Sequence, residues 1–173
     1  MIDQNGSNAI LTPVQEVIAS LSNDKQHTFH LTGSRFFGME TSDSDYDFFV
    51  QDSKDIHGLL LSMGFQRLPC PQSYKDSMTD VVYRRLFFDD GMNGQIDVQV
   101  VKCTKIKGLA QEILKEFCPE HVVGHSNLVR QADPRRKLWE MAYMMASLQI
   151  ENGIFKKRLS ILGESYQNAL KVV

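Results

Sequence analysis

The stretch LTGSRFFGMETSDSDYDFFV, residues 31–50, places a Gly-Ser step ahead of two aspartates that alternate along an apolar run. Successive side chains of a β-strand point to opposite faces, so Asp45 and Asp47 are expected to project from the same face of one strand. Mg²⁺ prefers oxygen ligands and takes one or two carboxylates together with water and substrate phosphates. The stretch therefore predicts a divalent-metal site on a strand, and a nucleotide is its natural further ligand.

The Gly-Ser step follows a short strand predicted over 27–31. Gly33 permits a tight turn or a close backbone approach that a residue with a Cβ resists. If Ser34 and Arg35 open a helical turn, its free N–H groups and the Ser34 hydroxyl favour a bound phosphate. The alternative for this step alone is an ordinary loop beside an exposed acidic patch.

A third carboxylate lies in the later stretch QIDVQVV, residues 95–101. Three apolar residues alternate there with Asp97 and Gln99, which predicts a strand with an acidic residue on its polar face. The alternative is a half-exposed antiparallel strand whose polar face meets solvent. Because two carboxylates lie upstream, we expect Asp97 to join them.

These three separated elements, Gly33-Ser34, Asp45-Tyr46-Asp47 and Asp97, resemble the signature of the nucleotidyltransferase superfamily that shares the DNA polymerase β catalytic fold. The chain from 27 to 102 looks like the small, minimal members of bacteria and phages. The resemblance implies that Asp45 and Asp47 hold two Mg²⁺ ions, with Mn²⁺ as a substitute, and that Asp97 completes the acceptor-side metal. It also implies that Gly33 and Ser34 hold the β- and γ-phosphates of an NTP, assisted by Arg35.

The activity implied by this resemblance is transfer of a nucleoside monophosphate from an NTP to an acceptor hydroxyl, with release of pyrophosphate. The acceptor is left open among a protein, an RNA and a small molecule. Similar small enzymes modify a toxin with which they are paired, so a toxin-like protein partner is among the expected acceptors. The alternative from another class is a non-catalytic or antitoxin-like binding partner that retains the fold and docks through its helices.

The predicted fold is a mixed α/β (α+β) domain with a small mixed sheet flanked by helices. Residues 1–118 are expected to form the catalytic core and residues 119–173 a C-terminal helical cap. Core helices are predicted over 12–21, 54–63 and 104–117, the first two covering the back of the sheet. Further strands are predicted over 65–68 and 81–88. A turn predicted over 89–94 joins the second of these to the Asp97 strand. The register of the strand pair decides whether Arg84 or Arg85 faces the site.

The cap is predicted from helical periodicity. Leu138, Met141, Ala142, Met145 and Leu148 indicate one amphipathic helix beginning at Pro134, and Phe155, Leu159, Leu162 and Tyr166 indicate another. The methionine stripe at 141, 144 and 145 is expected to lie in the core or on a packing surface.

Composition bounds the class of protein. The chain has 173 residues, 42% hydrophobic and 23% charged, which is ordinary for a globular enzyme. It contains no apolar run of the roughly 18 residues that would span a bilayer. The start lacks the features of a signal peptide, and three cysteines show no paired spacing, so we expect a protein of the bacterial or phage-infected cytoplasm without membrane contact.

Charge is unevenly distributed along the chain. From residue 130 onward the chain has eight Lys and Arg and four Asp and Glu, which gives a net charge of +4. The part before residue 130 has a net charge of −6. A basic segment beside an acidic metal site suits a polyanionic acceptor such as RNA, or the triphosphate itself. A solvated helix face is the alternative.

Overall fold

A five-stranded mixed sheet lies at the centre of the computed structural model, which describes residues 12–69, 79–89, 92–117, 119–122 and 134–152. Strands Tyr46–Gln51 (β2) and Met92–Val101 (β5) run parallel to each other, and all other neighbouring strands of the sheet are antiparallel. The predicted α+β fold with a small mixed sheet is thereby confirmed. The strands, in the spatial order β1-β2-β5-β4-β3, are β1 His30–Thr32, β2 Tyr46–Gln51, β3 Gln66–Leu68, β4 Thr79–Asp89 and β5 Met92–Val101.

The helices follow the predicted positions closely. At the first of them, Thr12 Oγ1 accepts a hydrogen bond from Gln15 N, and Gln15 Oε1 accepts one from Thr12 N. This capping box and Pro13 at the first helical position explain why the helix begins there. None of the helices in the described ranges is long and apolar enough to cross a membrane. They are α1 Pro13–Ser22, α2 Gly33–Phe37, α3 Ile56–Ser62, α4 Thr104–Phe117, α5 Pro119–Val122 and α6 Pro134–Asn152.

The main hydrophobic core lies between one face of the sheet and helices α1 and α3. Val17 and Leu21 of α1, and Ile56 and Leu60 of α3, are buried there. This confirms the prediction that these two helices cover the back of the sheet. The sheet contributes alternate residues of its strands to the same core, namely Phe48, Val50, Val81, Tyr83, Phe87, Ile96, Val98 and Val100.

Helices α4 and α6 lie on the opposite side and form a second core with α2. Phe37, Ala110, Leu114 and Ala146 are buried in it. Helix α4 crosses the sheet face that carries the alternate residues of β2 and β5, since Lys107 on α4 bonds to Gln99. The polar face of β5 is therefore covered by protein, and the alternative of a solvent-facing strand is wrong.

Several predicted boundaries differ from the structure. Strand β1 is His30–Thr32, not 27–31, because a turn organised by Asp24 occupies 24–27. Helix α3 begins at Ile56, not 54, where Ser53 Oγ accepts the Ile56 N–H. Strands β4 and β5 pair as far as residues 89 and 92, so the turn predicted over 89–94 is shorter.

The methionine stripe of α6 lies only partly in the core. Met145 packs against the second core, whereas Met141 is 42% exposed and Met144 is 58% exposed, so these two lie outside it and their place on a packing surface stays a prediction. The buried face of α6 is instead centred on Ala142 and Ala146, whose small side chains pack beside Ala110 of α4. The second cap helix, predicted around 155–166, lies outside the described residues, as does most of the basic segment.

Candidate metal and nucleotide site

The pairing of two parallel strands brings the three predicted aspartates together. Asp47 of β2 is the direct partner of Asp97 of β5, so the two side chains project from the same face. Asp45 immediately precedes β2 and has the same parity as Asp47. One carboxylate oxygen from each of the three lies within 4.8 Å of the others. The three oxygens form a cluster of the size that a divalent cation requires.

Gly33 lies directly against one member of this cluster. Thr32 at the end of β1 is the antiparallel partner of Asp47, and the chain turns into α2 at Gly33 with φ +68°. A Cβ built on Gly33 would lie 2.1 Å from Asp47 Oδ2. Only glycine permits both this backbone conformation and this close approach to the carboxylate.

The carboxylates are held in a surrounding that disfavours their charge. Burial, together with the neighbouring Asp45 and Asp97, raises the pKa of Asp47 to about 7 against the opposing effects of Lys107 and Arg84. Burial also raises the pKa of Asp45, and Asp97 adds to that shift. A cation bound among these oxygens would relieve both the burial of charge and the mutual repulsion.

Arg84 is the arginine that faces the cluster. It pairs with Asp97 across β4 and β5 and donates from Nε to Oδ1 at 2.8 Å and from Nη2 to Oδ2 at 2.7 Å. Gln95 Nε2 joins two of the carboxylates, with 3.0 Å to Asp45 Oδ2 and 3.2 Å to Asp97 Oδ2. Arg85 points away, since it donates to the Met63 carbonyl on the other side.

Arg35 braces the loop that carries Asp45. Its Nε donates to the Asp45 carbonyl at 3.0 Å, its Nη2 donates to the Ser44 carbonyl at 2.7 Å, and its guanidinium lies 3.8 Å from the Tyr46 ring centroid. These contacts position Asp45 at the start of β2. Ser34 follows Gly33 in the first turn of α2.

Lys107 of α4 is a site residue that the sequence reasoning missed. Its side chain is only 3% exposed, its Nζ donates to Gln99 Oε1, and it lies 5.4 Å from the Phe49 ring centroid. It places a positive charge beside Asp47 and lowers the pKa of that carboxyl. Helical spacing could have indicated its burial, because Lys107 shares the buried face of α4 with Ala110 and Leu114, at i+3 and i+7.

No protein-family model, no curated protein and no solved structure matches this chain. The fold and the site define an α+β protein that carries a three-aspartate cluster on two adjacent parallel strands, with a glycine turn against the middle carboxylate.

Proposed function

We propose that this chain is a metal-dependent nucleotidyltransferase of the DNA polymerase β-like type. The observation that carries the proposal is the cluster of Asp45, Asp47 and Asp97 within 4.8 Å, with the Gly33 backbone against Asp47. A carboxylate cluster alone would suit a network of buried ion pairs equally well. Here a glycine turn provides backbone close to the carboxylates, as a phosphate-binding site requires.

The three carboxylates are the residues that would hold Mg²⁺, or Mn²⁺ in its place. Asp45 and Asp47 would ligate both ions, and Asp97 would ligate the ion on the acceptor side. Two such ions stabilise the attacking and leaving oxygens of an in-line phosphoryl displacement. The raised pKa of Asp47 and of Asp45 supports this assignment, because it reflects burial and crowding of carboxylates that a bound cation would relieve.

Arg84 has a specific part in this proposal. It neutralises Asp97 through two hydrogen bonds, and its side chain is 39% exposed. Once a cation compensates Asp97, this guanidinium is placed to contact the triphosphate bidentately, as arginine does with phosphate oxygens. Gly33 and Ser34 would contact the β- and γ-phosphates, and Arg35 would keep Asp45 in position.

The proposed reaction forms one bond and breaks one. The acceptor hydroxyl oxygen bonds to the α-phosphorus of the NTP, the bond between that phosphorus and the bridging oxygen breaks, and pyrophosphate leaves. The hydroxyl proton passes toward Asp97. Cations held by Asp45, Asp47 and Asp97 would supply positive charge against the charge that builds on the α-phosphate oxygens, and Arg84 would add to it.

A labelling experiment tests the proposal and identifies the acceptor. The purified chain is incubated with each α-labelled NTP, Mg²⁺ and a bacterial lysate, and the protein, RNA and small-molecule fractions are counted. Label in one fraction, lost with chelator and with Asp47→Asn, supports the enzyme. A label in the protein fraction would point to a toxin-like partner. Absence of transfer from all four NTPs in every fraction contradicts the proposal.

The second candidate function is a non-catalytic, antitoxin-like binding partner. One observation favours it: Met141, Met144 and Ile150 expose large apolar side chains on α6, at 42%, 58% and 47%. Exposed methionines suit an adaptable protein interface. Partner capture that survives Asp47→Asn but is lost with Met141→Asp and Met144→Asp would favour this function over catalysis.

A further inference from the structure

A second concave site lies at the β1 edge of the sheet, between β1, α2 and α4. It offers about 410 Å³ of space and is largely open to solvent, and this volume is within the range of small-molecule sites. None of the three clustered aspartates lines it. It is lined by the aromatic residues Phe29, His30, Phe36 and Phe49 and by Gly108 and Gln111, and the Phe49 ring is fully buried against His30.

Gln111 lines this crevice and carries a buried, unpaired acceptor. Its side-chain Nε2 donates to the Leu31 carbonyl at 3.1 Å, which fixes the orientation of the amide because the reverse orientation would oppose two oxygens. The residue is only 4% exposed, and its Oε1 is buried with no hydrogen-bond partner in the described part of the chain. A buried acceptor without a donor is costly, so a ligand N–H at this point would be favoured.

His30 and the rim define the charge that the crevice accepts. The His30 ring stacks on Phe49 with centroids 4.9 Å apart and planes 18° apart. Burial lowers the pKa of His30, so at neutral pH its ring is uncharged and offers one donor and one acceptor. Glu112 at the exposed rim disfavours an anionic group there. The lining suits an uncharged, planar, nitrogen-containing ring.

We propose that this crevice binds an unpaired nucleobase, with an amino or ring N–H group donating to Gln111 Oε1 and the ring lying against the aromatic walls. Base–aromatic stacking tolerates different bases, so Gln111 would supply the preference for amino-bearing ones.

Two sources of the base fit this chemistry. His30 pairs with Phe49 and Thr32 pairs with Asp47 across β1 and β2. The crevice therefore lies one two-residue strand step, about 7 Å, from the aspartate cluster. In the first, the base belongs to an NTP whose phosphates lie at that cluster, and this alternative rests on the proposed function. In the second, the base belongs to a separate nucleoside.

Gly108 allows the crevice to be filled without removing any existing contact. A Cβ built on it meets only Phe49 Cζ, at 3.9 Å, which is ordinary contact. Gly108→Leu would extend into the crevice, and Gly108→Ala is its matched control. Both replace a helical glycine with a better helix former, so neither should lower the melting temperature. Gln111→Met removes the acceptor at similar side-chain length and also the hydrogen bond to the Leu31 carbonyl, so its melting temperature is measured together with its binding.

Calorimetric titration of the full chain with adenosine, without metal, and with ATP, with and without Mg²⁺, tests the proposal. We expect saturable binding that weakens at least tenfold in Gly108→Leu and in Gln111→Met and stays unchanged in Gly108→Ala. If Asp47→Asn also weakens binding of ATP with Mg²⁺, the base is that of the NTP. If adenosine binds without metal and Asp47→Asn has no effect, the site takes a separate nucleoside.

The proposal is overturned if neither adenosine nor ATP binds saturably, or if folded Gly108→Leu binds like the unchanged chain. Its failure is separable from failure of the proposed function. Loss of transfer alone, with adenosine binding retained, would sink the enzyme hypothesis and leave the nucleobase site standing.

Discussion

Gly33 lies so close to Asp47 that a Cβ on the glycine would be 2.1 Å from the Oδ2 atom of the carboxylate and 2.8 Å from its Cγ. The two residues belong to different strand ends that meet through the β1–β2 pairing. The position of the middle carboxylate therefore depends on the absence of a side chain at residue 33.

Gly33→Ala is expected to disturb both the fold and the site. The substitution adds left-handed backbone strain of about 1 kcal/mol and an overlap with Asp47 that must be relieved by moving the carboxylate. We expect a total loss of about 3 kcal/mol or more, which lowers the melting temperature by roughly 6–12 °C, and loss of Mg²⁺ binding. Thermal melts and calorimetric titration with Mg²⁺ measure the two effects.

Gly38→Ala is the matched control for this change. Gly38 has nearly the same backbone conformation, φ +71°, but a Cβ on it would meet nothing within 4 Å. Gly38→Ala should lose only about 1 kcal/mol of stability, from backbone strain, and keep Mg²⁺ binding. Equal losses in the two variants would show that contact with Asp47 does not matter.

Asp45→Asn, Asp47→Asn and Asp97→Asn should each abolish most transfer without unfolding the chain. Each keeps side-chain volume and removes a ligating charge from a cluster that repels itself. We expect transfer to fall about 100-fold or more, with Asp97→Asn affecting chemistry more than NTP binding. Asp43→Asn, on the exposed loop before the site, is the control and should retain transfer. Full transfer in all three variants would contradict the catalytic assignment.

Stability without metal should fall as the pH rises from about 4 to 7. The folded chain keeps a proton on Asp47 up to about pH 7, whereas the unfolded chain releases it near pH 4. Because the folded state binds more protons in this window, its stability decreases with increasing pH. Asp47→Asn has no carboxyl to titrate at this position. Its melting temperature in chelator should therefore exceed that of the unchanged chain above pH 7, and the difference should vanish below pH 4.

Mg²⁺ affinity should change with pH in the opposite direction. The ligating carboxylates must lose their protons, so binding should strengthen through pH 7 and release a proton below it. Calorimetry at pH 6 and pH 8, in two buffers of different ionisation enthalpy, measures both quantities. Affinity that does not vary between these pH values would argue against Asp47 as a ligand.

Alternation and parity made much of the site predictable from sequence. A period of two placed Asp97 opposite the apolar residues of β5, and the same period placed Asp45 with Asp47. The parallel pairing that brings Asp47 beside Asp97 required the sheet order, which no local pattern contains. Lys107 escaped notice because a lone lysine in an amphipathic helix is usually solvated, and its burial depends on Gln99 of a distant strand.

The roles of the arginines also depended on tertiary contacts. Register decided between Arg84 and Arg85, and a slip of one residue would have reversed them. Arg35 follows the Gly-Ser step in sequence, yet its guanidinium turns to the carbonyls of the later loop. On α6, the apolar pattern alone did not distinguish exposed Met141 from buried Ala142, because close packing against Ala110 selects the small residues.

Arg84→Gln should destabilise the chain in a manner that Mg²⁺ corrects. In chelator, Asp97 loses its bidentate partner and the cluster loses a compensating charge. Because the Arg84 side chain is 39% exposed, solvent screens part of this effect, and we expect a loss of about 1 kcal/mol, or about 2–4 °C. With saturating Mg²⁺ the cation supplies that charge, so the difference in melting temperature should narrow.

Arg85→Gln separates this effect from general loss of an arginine on β4. Arg85 donates to the Met63 carbonyl and lies over the Phe87 ring, on the face away from the carboxylates. Its replacement should lower the melting temperature equally with chelator and with Mg²⁺. If the Arg84→Gln deficit were also the same in both conditions, no cation would be replacing the guanidinium charge at Asp97. That result would refute the proposal that a cation at Asp97 takes over the charge compensation that Arg84 supplies without metal.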